Sequence, residues 1–335
     1  MINLTIIIPT KDRPDFIKRQ LNYFYKVNFS PIIILADASN QINHEKNKSI
    51  LKNHSKIQSS IIYDINTSSE QAVWQAIERV ETKYSVLLPD DDLILKSASL
   101  NLIDFLENNE DYSAAHGDAF YFTVNKGKND SFGKFTGITK YKMVTAEENQ
   151  ILDRMQNYFN EITNINMCIV RTEVAKKAYR MCHELDYYYS ALIFGEIIHG
   201  CNILRFGKIK HIHESYLLRQ IHNKQFFDSM NLLDWLTRKE WSSSYNILLK
   251  TFKEIAKQTD DSSASQQKLI NLFTSYHKKL IINSNKASII NKLKRNKIFN
   301  FFFTYYRHFK LINGSINIKK IDKKVKEFIS IVESK

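Results

Sequence analysis

The first ninety residues alternate between short apolar runs and longer stretches with apolar residues at helical spacing. LTIIIP, at 4–9, is a buried-strand pattern. Phe16, Ile17, Leu21 and Phe24 then recur as one face of a helix. Pro31 opens a second strand, IIIL, which ends at Ala36-Asp37-Ala38-Ser39. A polar stretch with Ile50 and Leu51 at helix-like spacing leads to a third strand, SIIYDI. An amphipathic helix begins at Ser69-Glu70-Gln71-Ala72 and runs through Val73, Ile77 and Val80, and YSVLLP is the fourth strand. The order β-α-β-α-β-α-β, with strands apolar along their whole length, predicts a parallel sheet covered by helices on both faces.

The middle of the chain is less regular. Residues 100–106 read as helix, AAHGDAFYFTV as a strand, and 126–137 as a polar hairpin or loop. INMCIV (165–170) reads as another strand, followed by a helix from Thr172 to about Met181. Residues 187–204 read as a long buried helix and GKIKHI as the strand after it. From about Phe226 the pattern is helical and increasingly basic, with an exposed turn expected at 258–266.

Open parallel sheets bind ligands beyond the carboxyl ends of their strands. Polar groups collect at those ends: Thr10, Asp12 and Arg13 after the first strand, Asp37 and Ser39 after the second, and Asp90, Asp91 and Asp92 after the fourth. Three adjacent carboxylates repel one another, and each ionised neighbour makes the next harder to ionise. A hard divalent cation between them and a phosphate removes that conflict, since Mg²⁺ is held by one or two carboxylates plus substrate phosphates. The plainer alternative is a solvated turn that caps the following helix. The place of the triplet after a buried strand, on the same rim as Asp12 and Asp37, favours metal.

Composition narrows the classes. Eight glycines and four prolines argue against a linker-rich architecture, and neither GxGxxG nor GxxxxGK[ST] occurs, so dinucleotide-binding and P-loop sites are not expected. Cys168, Cys182 and Cys201 form no CxxC pair and fit neither a zinc site nor a disulfide framework, which suits a reducing compartment. MINLTIIIPTKDRP lacks a basic leader and reads as a first strand, and no apolar run approaches the ~20 residues of a membrane span. A cytoplasmic location, at or near the inner face of the membrane, is the expectation.

LTIIIPTKDRPDFIKRQLNYF, IIILADAS and SVLLPDDDLI, in this order, resemble the nucleotide-binding half of family 2 glycosyltransferases with the GT-A fold. The likeness covers roughly the first two-thirds of the chain. It implies a mostly parallel central sheet flanked by helices in residues 1–225, with a basic helical appendage at 226–335. It also implies a nucleotide-sugar donor, Mg²⁺ or Mn²⁺, and inverting transfer to a hydroxyl of a glycan or lipid-linked glycan. Pro9, Thr10, Asp12 and Arg13 would line the nucleotide pocket, with Ser39 and Gln71 beside them. Asp37 would contact the base. Asp90, Asp91 and Asp92 would hold the ribose-diphosphate and metal. Two departures stand out: Pro89 replaces the usual first Asp of the D-x-D-D run, so which carboxylate ligates is open, and the second strand ends ADAS instead of DDGS.

The family takes its general base from an acidic residue at a helix that runs into a Gly and another strand. Counting back from GKIKHI places Glu196 there; Glu184 and Asp186, in HELDYYYS, compete for the role. A carboxylate in so apolar a helix is costly unless solvated or used, and its pKa would rise toward the range of a general base. Past GKIKHI, Arg219 suits phosphate through its fork of donors, and neutral His222 suits a metal shell. His211 and His213 alternate on a strand and share one face, which alone is weak metal evidence.

The net charge of +13 is uneven: residues 286–335 hold 13 basic and 3 acidic residues. Ile298, Phe301, Phe302, Tyr305, Phe309 and Ile312 add an aromatic face at helical spacing. Such a segment suits peripheral contact with an anionic membrane, packing on the catalytic domain, or a homodimer contact. Nucleic acid is not expected, because the aromatics lie at helical spacing and not on strands. Two rival readings of the whole chain are a sugar-nucleotide nucleotidyltransferase and a catalytically silent nucleotide- or glycan-binding scaffold. The first usually carries a Gly-rich loop after its first strand, where PTKDRPD has no glycine.

Overall fold

The computed structural model describes residues 2–63, 69–125, 131–160, 162, 165–183, 194–222, 236, 238–294 and 323–333. The opening half follows the alternation of its sequence: β1 (Leu4–Thr10), α1 (Pro14–Lys26), β2 (Ile32–Asp37), α2 (Gln41–Asn53), β3 (Ser59–Tyr63), α3 (Ser69–Glu78) and β4 (Tyr84–Leu87). Pro14 sits in the first turn of α1, where its missing N–H costs nothing. After β4 come the short β5 (Leu93–Ile94), α4 (Lys96–Asn108), β6 (Tyr112–Val124) and β7 (Phe135–Tyr141). The remainder is α5 (Ile151–Asn160), β8 (Ile169–Arg171), α6 (Thr172–Cys182), α7 (Glu196–Phe206), β9 (Lys208–Gln220), α8 (Lys239–Ala256), α9 (Ser262–Lys294) and α10 (Lys323–Glu333).

Among the described residues, nine strands form one sheet in the order β3-β2-β1-β4-β8-β6-β9-β5, with β7 on β6. β1 to β4 pair in parallel, and β6 and β9 run the same way because β8 is antiparallel to both β4 and β6. The carboxyl ends of β1, β2, β4, β6 and β9 therefore share one rim. Leu4, Ile6, Ile7, Ile8, Ile33 and Leu35 are buried within the sheet, as strands covered on both faces require.

Several boundaries differ from the sequence reading. Only the end of INMCIV is strand, because the Cys168 N–H closes a turn on the Ile165 carbonyl at 2.9 Å. GKIKHI is the start of a strand that continues to Gln220, so Arg219 lies inside β9 and not past it. β7 takes up the end of the segment read as loop, and two-residue β5 carried no periodicity to read. The expected turn at 258–266 is shorter, since α9 already begins at Ser262. Residues 187–193 of the expected long helix lie outside the described residues, as do 295–322, which hold the aromatic stripe.

The described C-terminal helices pack on the sheet domain. Phe273 of α9 meets Phe159 of α5 at 6.4 Å between ring centroids. Phe328 of α10 meets Tyr23 of α1 at 6.0 Å and Phe122 of β6 at 5.1 Å. The Gly133 N–H donates to the Val332 carbonyl at 3.1 Å. No helix among the described residues is long and apolar enough to cross a membrane.

Candidate functional site

The triplet Asp90-Asp91-Asp92 fills the short link between β4 and β5, and all three residues are buried. Leu93 of β5 pairs antiparallel with Leu218 of β9. That register sets Asp92 opposite Arg219, whose Nε donates to Asp92 Oδ2 at 3.0 Å, while the Gln220 N–H donates to Asp92 Oδ1 at 3.3 Å. From the end of β1, the Thr10 hydroxyl donates to Asp90 Oδ2 at 2.7 Å. Arg13 spans two carboxylates: its Nη2 is 2.5 Å from Asp90 Oδ1, and its Nη1 is 3.1 Å from Asp91 Oδ2. His222 Nε2 meets the same Asp91 oxygen at 2.8 Å. Thr10, Arg13, Arg219 and His222, four residues expected at the site, thus converge on the triplet.

Charge divides unequally among the three. Burial, reinforced by the neighbouring Asp91 charge, pushes Asp90 and Asp92 up to about 7, against the pull of Arg13 and Arg219 respectively. Burial also opposes ionisation of Asp91, but the His222 hydrogen bond and the Arg13 charge outweigh it and hold Asp91 down to about 2. Asp91 is the most firmly ionised of the three, and at 8% exposure it is also the most open.

A buried arginine that the sequence reading missed supports this cluster from behind. Arg19, on the inward face of α1, is fully buried and donates to the Asp91 carbonyl and the Ser131 carbonyl, each at 2.8 Å, and to the Gln220 side chain. Phe16 and Phe122 lie against its guanidinium at 4.9 and 5.9 Å. Burial lowers its pKa to about 10, which still leaves it charged. Gln20 donates to the Pro89 and Asp92 carbonyls, both at 2.7 Å. The available signal was Arg19 three residues after Phe16 on an otherwise apolar helix face. Arg19→Met should lower unfolding free energy by about 3 kcal/mol or more in urea titration, because three acceptors lose a charged donor in a dry site.

Asp12 and Ser39 form a bridge between strand ends. Asp12 holds a left-handed backbone, φ 57°, and its N–H donates to Ser39 Oγ at 2.8 Å. Asp12 Oδ1 accepts from the Asn40 N–H at 2.9 Å and from Asn43 at 3.1 Å. Asp37 stands at the end of β2, but its carboxylate faces inward at 0% exposure. It accepts from the Ser39 N–H at 2.9 Å and meets His44 Nδ1 and Asn47 Nδ2 at 3.0 Å each. Pro9 is half-buried in β1, and Gln71 is exposed near the start of α3.

Glu196 is the first residue of α7 and is half-buried. The seat of this helix is close: a Cβ on Gly200 would come within 2.4 Å of the Tyr158 hydroxyl, which itself donates to the Glu196 carbonyl at 3.3 Å. Desolvation raises the Glu196 pKa to about 7, and the charge of Arg219 opposes that rise. Arg219 therefore links Glu196 electrostatically to the Asp92 side of the rim. Glu184 and Asp186 lie outside the described residues.

No family model and no curated protein matches the chain. Among solved structures, S. aureus TarS 1–349 in complex with UDP-GlcNAc has a TM-score of 0.51 at 14% identity, over 81% of this chain and 72% of that one. Against the longer S. aureus TarS the chain spans only 43% of that protein's length, with a TM-score of 0.49 and 14% identity. A mannosyltransferase, PcManGT from Pyrobaculum calidifontis in complex with GDP-Man and Mn²⁺, aligns over 90% of this chain and 83% of that one, with a TM-score of 0.44 and 9% identity. At these identities the likeness concerns the fold alone: the chain is a mixed α/β protein with a curled central sheet flanked by helices, of the GT-A type.

Proposed function

We propose that the protein transfers a sugar from a nucleotide-diphosphate donor to an acceptor hydroxyl, with inversion at the anomeric carbon. The observation that carries this reading is the convergence of Asp91, Arg13, Arg219 and His222 on one strand-end rim, with the weakly acidic Glu196 in the field of the same Arg219. Such a rim suits a diphosphate, and a carboxylate with a pKa near 7 suits proton abstraction at neutral pH.

Asp91 and His222 fit a divalent ion. Their facing atoms are 2.8 Å apart, close to the ~3 Å between adjacent octahedral ligands at about 2.1 Å from Mg²⁺. Asp90 and Asp92 are instead engaged by Thr10, Arg13, Arg219 and the Gln220 backbone. Bound Mg²⁺ or Mn²⁺ would neutralise charge on the departing diphosphate. Arg13 and Arg219 orient the phosphates from the β1 and β9 ends. Glu196 takes the proton of the acceptor hydroxyl; that oxygen forms the new bond to the anomeric carbon as the bond to the diphosphate oxygen breaks, and the nucleoside diphosphate leaves with the electron pair.

In this reading residues 1–225 are the catalytic unit, and 226–335 are an appended region that supports it and meets the acceptor. The basic excess of 286–335 suits a lipid-linked glycan at an anionic surface, and a second copy of the chain is the competing partner. Thermal-shift screening against UDP-, GDP- and CDP-sugars tests the donor step, because a ligand that binds only the folded state raises the unfolding midpoint. At least one nucleotide sugar should raise it with Mn²⁺ and less so with EDTA. No shift with any of them removes the reading.

A further inference from the structure

Away from the rim, β6 and β9 bring two imidazoles and a carboxylate together. His211 and His213 alternate on β9 and share a face, with ring centroids 4.5 Å apart. Asp118 comes from β6, where the register against β9 shifts on both sides of it. The two backbones are pressed together here: a Cβ on Gly117 would lie 2.4 Å from the Glu214 carbonyl oxygen. His211 Nε2 faces Asp118 Oδ1 at 3.0 Å, and ligand atoms of all three residues lie within 4.8 Å of one another.

Half of this cluster is held in place. His116 stacks on His211 at 5.0 Å and 16°. His116 is itself buried, with Nδ1 3.0 Å from the Gly117 carbonyl and Nε2 2.6 Å from the Val144 carbonyl. His213 is exposed, so its ring is able to change rotamer and close the set.

We propose that Asp118, His211 and His213 form a zinc site that clamps β6 to β9. Imidazole donors favour Zn²⁺ over Mg²⁺ or Ca²⁺. Tetrahedral ligands about 2.1 Å from Zn²⁺ stand about 3.4 Å apart, so the His211–Asp118 separation is already within a few tenths of an ångström. The competing cation is Lys140, whose Nζ is 4.0 Å from Asp118 on a side chain 72% exposed, free to swing aside. With His213 exposed, a solvent water would complete the shell of a bound ion. His213 precedes Arg219 by six residues of β9, roughly 20 Å at about 3.3 Å per residue. This site is therefore separate from Asp91 and His222.

The test is equilibrium dialysis of the metal-free full chain against micromolar Zn²⁺, with thermal unfolding in parallel. Wild type and Asp91→Asn should each retain this zinc and unfold at a higher temperature with it, and Mg²⁺ should not reproduce the rise. In His213→Asn, a substitution at an exposed position, affinity should fall at least about tenfold, the scale on which altering a metal's surroundings weakens it, and the rise should vanish. Undiminished zinc binding by His213→Asn overturns the proposal, as does absence of binding by wild type. Loss of binding in Asp91→Asn also overturns it, because the ion would then belong to the rim.

Discussion

Asp91→Asn is expected to reduce sugar transfer by about 10³-fold, the scale on which loss of an electrostatic stabiliser of a departing charge is felt. Asp91 is the carboxylate of the triplet held most firmly ionised, and it shares an oxygen between Arg13 and His222. Asn keeps the shape but neither the charge nor a strong metal ligand. Its neighbours should behave differently. Asp92 is 2% exposed and paired with Arg219, so Asp92→Asn leaves a half-buried guanidinium without its counter-ion. Breaking such a pair destabilises by about 3–5 kcal/mol. Urea unfolding run beside the transfer assay separates the two: Asp91→Asn should lose turnover and Mn²⁺ affinity with a small change in midpoint, and Asp92→Asn should lose stability first. Full turnover by Asp91→Asn, or equal activity in excess EDTA, contradicts the assignment.

Glu196→Gln should lower transfer by about 10²–10⁴-fold while nucleotide binding persists, the usual range for removal of a general base. The pH profile is the sharper readout. Desolvation raises the folded-state pKa from the ordinary 4.5 to about 7. A base acts only when deprotonated, so wild-type kcat/KM should rise with pH through about 7 and then level, and the residual rate of the Gln variant should lack that rise. Stability runs the other way. For a group whose folded pKa is raised, the contribution is full below the unfolded value and is lost as pH climbs through about 7. At pH 8 Glu196→Gln should therefore fold at least as stably as wild type by this term. An active Gln variant beside an inactive Asp186→Asn or Glu184→Gln would move the base into HELDYYYS.

Much of this fold was legible because β1 and β2 are apolar along most of their length and polar residues follow them, as the acidic triplet follows β4, so period and punctuation agree. The convergence of Thr10, Arg13, Arg219 and His222 on the triplet had a different origin. Two of these come from the first strand's end, and two lie more than a hundred residues later. The antiparallel pairing of β5 with β9 brings the later two to the triplet, and a two-residue strand leaves no periodicity to read. Arg19 was hidden for a related reason: a charge on an apolar helix face reads as an outlier until its acceptors, the Asp91 and Ser131 carbonyls, are brought to it by tertiary structure. The histidine pair 211/213 was visible as an alternation, but its carboxylate arrives from another strand, at a register shift that sequence does not display.

The most direct test of the central claim is the release of nucleoside diphosphate from a panel of nucleotide sugars, measured with Mn²⁺, with EDTA, and with Asp91→Asn. The account predicts that at least one donor releases its nucleoside diphosphate with Mn²⁺, and that EDTA or the Asp91 substitution stops the release. Release that continues undiminished in Asp91→Asn, or release of inorganic pyrophosphate from a nucleoside triphosphate and a sugar phosphate instead, would contradict it.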